Sequence, residues 1–216
     1  RSLSTLVCGD RLTMCISNSG DVLSFGYSYS GSHGHDEEQV YSPKKIPTLE
    51  SITYIAVGEA HSVCLQDNGV VYTFGNNFYG QLGVTLHSRS QQTYIPKKVN
   101  LPACKQVACG YHFTMCLTED GILYSFGLNN FGQLGVGGTE KKHNLPQRLE
   151  SLKDIEFIEC NLNDSFCKAS DNQIYCWGKN EYGTLGLGNR ICQNIPILCS
   201  SLSNEDIVDI KCGNCH

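Results

Sequence analysis

Four groups of residues in this sequence have types and spacings that chemistry uses. Cys212-Gly213-Asn214-Cys215-His216 places two thiols at the separation common among zinc ligands, with an imidazole beside them. Cys15, Cys64, Cys116 and Cys167 recur through the chain, and Cys8, Cys109 and Cys160 lie seven residues before three of them, a ladder that could relay thiol exchange. His61 could serve as a general base. The glycines of Gly80-Gln81-Leu82-Gly83 and Gly132-Gln133-Leu134-Gly135 suggest a phosphate-cradling loop.

The surrounding sequence favours a plainer reading of each. Superposed on the rest of the chain, Cys212 aligns with Cys8, Val57, Cys109 and Cys160, and a position that accepts valine is a small apolar site in which free cysteine packs well. His216 aligns with His61. The cysteine ladder recurs because one strand position wants the same small side chain each time, and nothing nearby would lower a thiol pKa. No serine, cysteine and carboxylate set accompanies His61, whose expected role is to hydrogen-bond its own turn. The Gly-Gln-Leu-Gly segments lie between strands, and no Gly-Lys-Ser/Thr opens a helix after them, so they are turns. Trp177, the only tryptophan, aligns with Phe25, Phe74 and Phe126 and is expected in the core. No catalytic residue, metal or cofactor is expected.

The bulk composition narrows the function classes. The chain has 216 residues, 40% hydrophobic and 17% charged, enough to build a core. No apolar run approaches the roughly 18 to 20 residues that cross a bilayer, so no membrane association is expected. A formal charge of -5 and a pI near 5.8 argue against a nucleic acid partner, which needs a dense positive footprint. Thirteen cysteines are an odd number, in a chain large for a disulfide scaffold, and no secretory signal is visible; a reducing cytoplasmic or nuclear setting is expected.

The elements that carry these residues repeat. TMCISNSGDVLSFG (13–26), SVCLQDNGVVYTFG (62–75), TMCLTEDGILYSFG (114–127) and SFCKASDNQIYCWG (165–178) superpose without a gap. Gly26, Gly75, Gly127 and Gly178 fall 49, 52 and 51 residues apart. Each copy carries four short strand signals rich in β-branched and aromatic residues, as in 51–58, 61–67, 70–75 and 94–100. Ser19-Gly20, Asn68-Gly69, Asp120-Gly121 and Asp171-Asn172 mark tight hairpins between the second and third strands. Residues 1–216 are therefore one tandem-repeat segment of an all-β propeller, with four-stranded antiparallel blades near 1–50, 51–103, 104–153 and 154–207 and the start of a fifth at 208–216.

VYTFGNNFYGQLG (71–83), LYSFGLNNFGQLG (123–135) and IYCWGKNEYGTLG (174–186), each followed by a proline-bearing strand and a segment like IAVGEAHSVCL (55–65), resemble the regulator of chromosome condensation repeat. The resemblance covers essentially the whole chain. The first copy departs at FGYSYSGSHG (25–34), where His33 replaces leucine, and the fourth has Asn161-Leu162-Asn163-Asp164 in place of a Gly-x-x-His turn. The resemblance implies a seven-bladed ring, so about three blades would be missing and the chain is expected to be a fragment. It also implies a choice of roles: exchange factor for the small GTPase Ran, adaptor in ubiquitin ligases or kinases, ciliary scaffold, or ultraviolet photoreceptor. With a single tryptophan in a core position, this segment does not carry the photoreceptor role.

Repeat length varies mainly in loops 35–42, 84–95 and 136–145, expected on the same face as the turn from Gly58 to His61 and opposite the hairpins. The expected function is a non-catalytic interaction module presenting that face to a protein partner. A guanine nucleotide exchange factor for a Ran-like small GTPase and the targeting part of a larger ligase or kinase are the alternatives. Candidate partner-binding residues are Asp36, Glu37, Glu38, His87, Arg89, Lys141 and Lys142 in or beside the loops, and Lys44, Lys45, Lys97 and Lys98 along the rim. The plainer reading of the rim lysines is a solvated edge strand guarded against pairing. Of Met14, Ile16, Val22 and Phe25 in the first blade, and Phe166, Ile174, Tyr175 and Trp177 in the fourth, some are expected to lie on uncovered apolar faces.

Overall fold

A computed structural model of the chain describes residues 3–87, 89–202, 205 and 207–212, with backbone alone for Leu3 and Ser4. The described residues form sixteen strands and no helix. The first blade is β1 (Leu3–Cys8), β2 (Leu12–Ser17), β3 (Val22–Tyr27) and β4 (Gln39–Lys45); the second is β5 (Ile52–Val57), β6 (His61–Gln66), β7 (Val71–Asn76) and β8 (Gln92–Lys98). The third is β9 (Cys104–Cys109), β10 (Phe113–Thr118), β11 (Leu123–Leu128) and β12 (Lys142–Arg148); the fourth is β13 (Ile155–Cys160), β14 (Asp164–Ala169), β15 (Ile174–Gly178) and β16 (Gln193–Leu198). Each blade is an antiparallel meander in sequence order. The first strands β1, β5, β9 and β13 approach one another at the centre. The fourth strands form the mostly exposed outer edge and carry Pro43, Pro96, Pro146 and Pro196, where a missing N–H costs no ladder bond.

The hairpins fall at the expected places with a different geometry. Ser17 N donates to Asp21 O at 2.9 Å and Gly20 N to Ser17 O at 2.9 Å, enclosing a three-residue loop that the other blades repeat. Only the second residue of each expected pair takes a positive φ: Gly20 at 74°, Gly69 at 81°, Gly121 at 77° and Asn172 at 64°. These are type I turns closed by a left-handed residue, so glycine or asparagine is needed at one position and not two.

Blades pack face to face through apolar layers. Met14, Ile16 and Val22 are at most 2% exposed because they meet Ile52, Ile55, Cys64 and Phe74 of the second blade, so these three of the first-blade set do not lie on an uncovered face. Phe25 projects from the opposite face and stays half-buried, whereas its counterparts Phe74, Phe126 and Trp177 are 0% exposed. At the other end Trp177 packs on the third blade, and Ile174 and Phe166 are covered by Leu202, Ile207, Ile210 and Cys212, so these three are buried as well. Tyr175 is half-buried. Residues 207–212 sit where a fifth blade would begin and pack on the fourth without forming a strand. Lys168, at the repeat position that Leu65 and Leu117 fill, sends its ammonium to Ile207 O at 2.7 Å.

A ladder of side-chain hydrogen bonds joins consecutive blades. Ser62 Oγ donates to Ser32 O at 2.6 Å, Thr114 Oγ1 to Gln81 O at 2.8 Å and Ser165 Oγ to Gln133 O at 2.8 Å. Each donor is 0% exposed and reaches the long turn of the preceding blade. His61 belongs to this ladder and not to its own turn: its Nε2 meets Thr114 Oγ1 at 3.0 Å, in the third blade. Thr114→Val would leave a buried carbonyl and a buried imidazole without partners, and is expected to lower stability by about 2 kcal/mol, measured by urea unfolding.

Burial, with the nearby His112 second, pushes the His61 pKa from 6.5 down to about 3. The unfolded chain takes up a proton as the pH falls through 6.5, whereas the fold resists protonation until about 3. The contribution of His61 is therefore complete above pH 6.5 and declines below it, by up to about 1.4 kcal/mol per pH unit. The melting temperature of His61→Gln, although lower at pH 7.5, is expected to fall less steeply between pH 7 and 5 than that of the parent; equal slopes would contradict this.

Candidate functional site

The long loops 28–38, 77–91, 129–141 and 179–192 rise from the same face as the short turns between the first and second strands. Tyr27 N donates to Arg11 O, Asn76 N to Ala60 O, Leu128 N to His112 O and Lys179 N to Asn163 O, all within 3.1 Å, so each loop is tied to its turn at the base. The repeat motif explains how the loops hold their shape. Asn77 Oδ1 accepts from Leu82 N at 3.0 Å, Asn129 Oδ1 from Leu134 N at 3.1 Å and Asn180 Oδ1 from Leu185 N at 3.1 Å. In the first copy Ser28 Oγ takes over, accepting from Ser32 N at 2.7 Å.

At the centre of this face lies an open depression of about 620 Å³. Asp10, Glu59, Tyr111 and Leu162 occupy the same position of successive repeats and ring its mouth, above Cys8, Val57 and Cys109. Backbone bonds fix part of the ring: Glu59 N donates to Tyr111 O at 3.1 Å and Tyr111 N to Leu162 O at 2.8 Å. Burial first, then the Asp10 charge, raises the Glu59 pKa above the usual carboxylate value. Its nearest basic neighbour is His112 Nδ1 at 3.6 Å, and burial lowers the His112 pKa.

Tyr111 lines the depression, Tyr29 lines an adjoining cleft with Asp10 and Glu59, and Tyr182 lines another with Leu162. Tyr29, Phe78, Tyr111 and Tyr182 are 55%, 63%, 40% and 65% exposed. Tyr111, His112, Tyr79 and Phe78 form a continuous run with centroid separations of 4.4, 4.7 and 5.2 Å. Lys142 Nζ lies 5.8 Å from the Phe78 ring centre and Lys179 Nζ 4.9 Å from that of Phe131.

The residues singled out in the sequence fall into two groups, on the long loops and along the outer rim, that touch only where Lys44 reaches Glu37. Asp36, Glu37, Glu38, His87 and Arg89 are exposed in the long loops, Lys141 ends one, and Lys142 begins β12 and bonds Phe78 O at 3.1 Å. Lys44, Lys45, Lys97 and Lys98 lie toward the hairpin end of the outer strands, opposite residues 23–24 and 72–73. Lys44 Nζ reaches Glu37 Oε1 at 2.6 Å, a contact that holds the Glu37 carboxyl below its ordinary pKa, and Lys45 reaches Asp21 Oδ1 at 2.7 Å. Arg148 meets Glu150 at 3.4 Å. Asp10, Glu59, Tyr29, Phe78, Tyr111 and Tyr182 were not singled out; the only signal for them was variability at fixed places within constant motifs.

Most of the thiols and imidazoles are core groups, Cys8, Cys192 and His87 being exposed. All twelve described cysteines are free thiols, and burial raises the pKa of Cys64, Cys116, Cys160 and Cys167. Cys212 is pushed up to about 12, chiefly by burial, whereas Cys215 and His216 lie outside the described residues. Among the described residues no group of three or more histidines, cysteines or carboxylates is placed to hold a metal. His33 fills the slot of Leu82 and Leu134 at 0% exposure, its ring 5.4 Å from that of His35, and burial lowers both pKa values. In the fourth copy Asp164 replaces the turn histidine and works within its own blade, accepting from Asn180 N at 2.9 Å and Thr184 Oγ1 at 2.5 Å.

Comparison with known proteins agrees with this architecture. The family model described as RCC1-like domain matches residues 2–216. The chain is 31% identical over 222 residues to the ultraviolet-B receptor UVR8 of Arabidopsis thaliana, covering 99% of this chain and 50% of that protein. It is 35% identical over 214 residues to the probable E3 ubiquitin-protein ligase HERC4 of Homo sapiens, covering 97% of this chain and 20% of that protein. The solved structure of Prp20p from Saccharomyces cerevisiae, described with its binding to Gsp1p and histones, superposes with a TM-score of 0.83 at 23% identity, covering 92% of this chain and 50% of that one. The chain thus spans half or less of these proteins. No helix among the described residues is long and apolar enough to cross a membrane. Sixteen strands in four meanders, the recurring glycine motifs and the family match over residues 2–216 together place this chain in the RCC1-like domain family of β-propellers.

Proposed function

We propose that the chain is a non-catalytic protein-interaction module that presents its long-loop face to a partner. The concentration of exposed aromatic side chains around an open depression carries the reading, because buried aromatic anchors supply much of the energy of protein interfaces. Asp36, Glu37, Glu38, His87, Arg89, Lys141 and Lys142 are proposed as the polar surround of that interface. The rim lysines are proposed as edge protection, which for Lys44 and Lys45 the pairing with Glu37 and Asp21 supports. The free thiols support a reducing setting, cytoplasm or nucleus. The test is partner binding after exchange of loops 35–42, 84–95 and 136–145. Loss of binding is expected, and retention of every partner by the exchanged chain would remove the proposal.

A module of this kind also fits a targeting role within a larger ligase, in line with the similarity to a probable ubiquitin ligase five times the span matched here. Catalysis of nucleotide exchange on a small GTPase is the competing reading. No acceleration of nucleotide release from a Ran-type GTPase is expected, and a clear acceleration would replace the module reading with the exchange-factor one.

A further inference from the structure

We infer that the central depression takes a lysine or arginine side chain, presented beside an apolar side chain on an extended segment of a partner protein; this deepens the interaction-module reading and rests on it. The two halves of the mouth differ in chemistry. Asp10 and Glu59 make one half acidic, and Tyr111 and Leu162 make the other apolar. The Glu59 side chain is only 25% exposed, yet among the described residues no hydrogen bond to its carboxylate compensates for the water it has lost. His112 Nδ1, 3.6 Å away, is buried with no hydrogen-bond partner of its own, and burial favours its neutral form. Asp10 meets Arg11 at 3.3 Å, but both side chains are 65% exposed, where an ion pair contributes little. Among the described residues, Asp10, Arg11, Glu59 and His112 are the acidic and basic side chains at this half of the mouth, with the Cys8 thiol and the Tyr27 and Tyr29 phenols beside them, leaving a net negative, under-solvated site.

A cationic head fits this site and an anion does not. The Tyr111 ring, 40% exposed, stands beside the carboxylates, so a cation bound between them would also meet a ring face. The aliphatic stem of lysine or arginine needs an apolar wall, which Tyr111 and Leu162 supply. The exposed rings of Tyr29 and Phe78 lie outside the mouth and would contact the continuing backbone, which favours a peptide over a free small cation.

The test uses a phage-displayed library of linear heptapeptides selected on the chain, followed by fluorescence anisotropy with the enriched peptides. Lysine or arginine next to leucine, isoleucine, phenylalanine or tyrosine is expected to be enriched. The double variant Asp10→Asn/Glu59→Gln is expected to weaken binding about tenfold or more, the scale of a desolvated charge pair. Acetylating the peptide lysine should do the same on the unaltered chain, which keeps the test decisive if the double variant folds poorly. Enrichment without a basic residue, or binding indifferent to acetylation, would overturn the inference. Peptides lost only on Phe78→Ala/Tyr182→Ala would overturn it too while leaving the interaction module in place. A library yielding no binder to the long-loop face would count against both.

Discussion

Replacing Gly75 or Gly127 with valine is expected to lower stability by about 4 kcal/mol, among the largest effects a single substitution produces. Their φ angles are 109° and 115°, a region closed to β-branched residues. A Cβ on Gly75 would lie 2.5 Å from Ala60 O and 2.8 Å from His61 Cα, and one on Gly127 would lie 2.5 Å from His112 O and 2.7 Å from Phe113 Cα. The obstacles are backbone atoms of the neighbouring strand and cannot rotate away. Backbone strain and overpacking each contribute roughly 1 to 3 kcal/mol. For a chain of 216 residues the melting temperature should fall by roughly 8 to 16 °C. Gln91→Asn, in the second long loop at a φ of 48° that asparagine tolerates, should shift it by less than about 2 °C. Equal shifts for the two kinds of variant would contradict the account of the glycines.

Trp177→Ala is expected to cost about 3 to 5 kcal/mol, because the side chain is the largest fully buried one and no neighbour can collapse into the space it leaves. Its ring fills the layer between the third and fourth blades, and its Nε1 donates to Gln133 O at 2.9 Å. The same carbonyl also accepts from Ser165 Oγ, so it is not left without a partner when the indole is lost. Trp177→Phe restores the residue type of the other three copies but removes the hydrogen bond and the second ring of the indole, so a smaller loss of about 2 kcal/mol is expected. Urea unfolding followed by circular dichroism distinguishes the two variants. A phenylalanine variant as unstable as the alanine one would contradict the view that a single aromatic ring supplies most of the packing here.

The strands and hairpins were legible in the sequence because local rules determine them. Alternation of small and apolar residues at 62–65 and a Gly or Asn after Ser19, Asn68, Asp120 and Asp171 both act within a few residues. The partner of His61 was not legible, since Thr114 stands one repeat further along and only blade packing brings it near. Alternation also does not say which of two apolar faces meets the next blade, so Met14, Ile16, Val22 and Phe25 could be named only as a set, of which the structure buries the first three against the second blade. The candidate site was the least legible part. Charged loop residues drew attention by their type, whereas Asp10, Glu59, Tyr111 and Leu162 look like unrelated substitutions at a variable turn position. They become a single mouth only because four inner strand ends converge on one axis.

The central claim is that the long-loop face is where this propeller segment meets its partner. Hydrogen–deuterium exchange of the chain, free and bound to a partner, tests that claim most directly. Slower exchange is expected at 10–12, 28–32, 59–61, 77–82, 111–113 and 180–184, with no change along the outer strands or at the hairpins around 19–20, 68–69, 120–121 and 171–172. Protection confined to the outer strands and hairpins would contradict the claim and move the interface to the lysine-bearing rim.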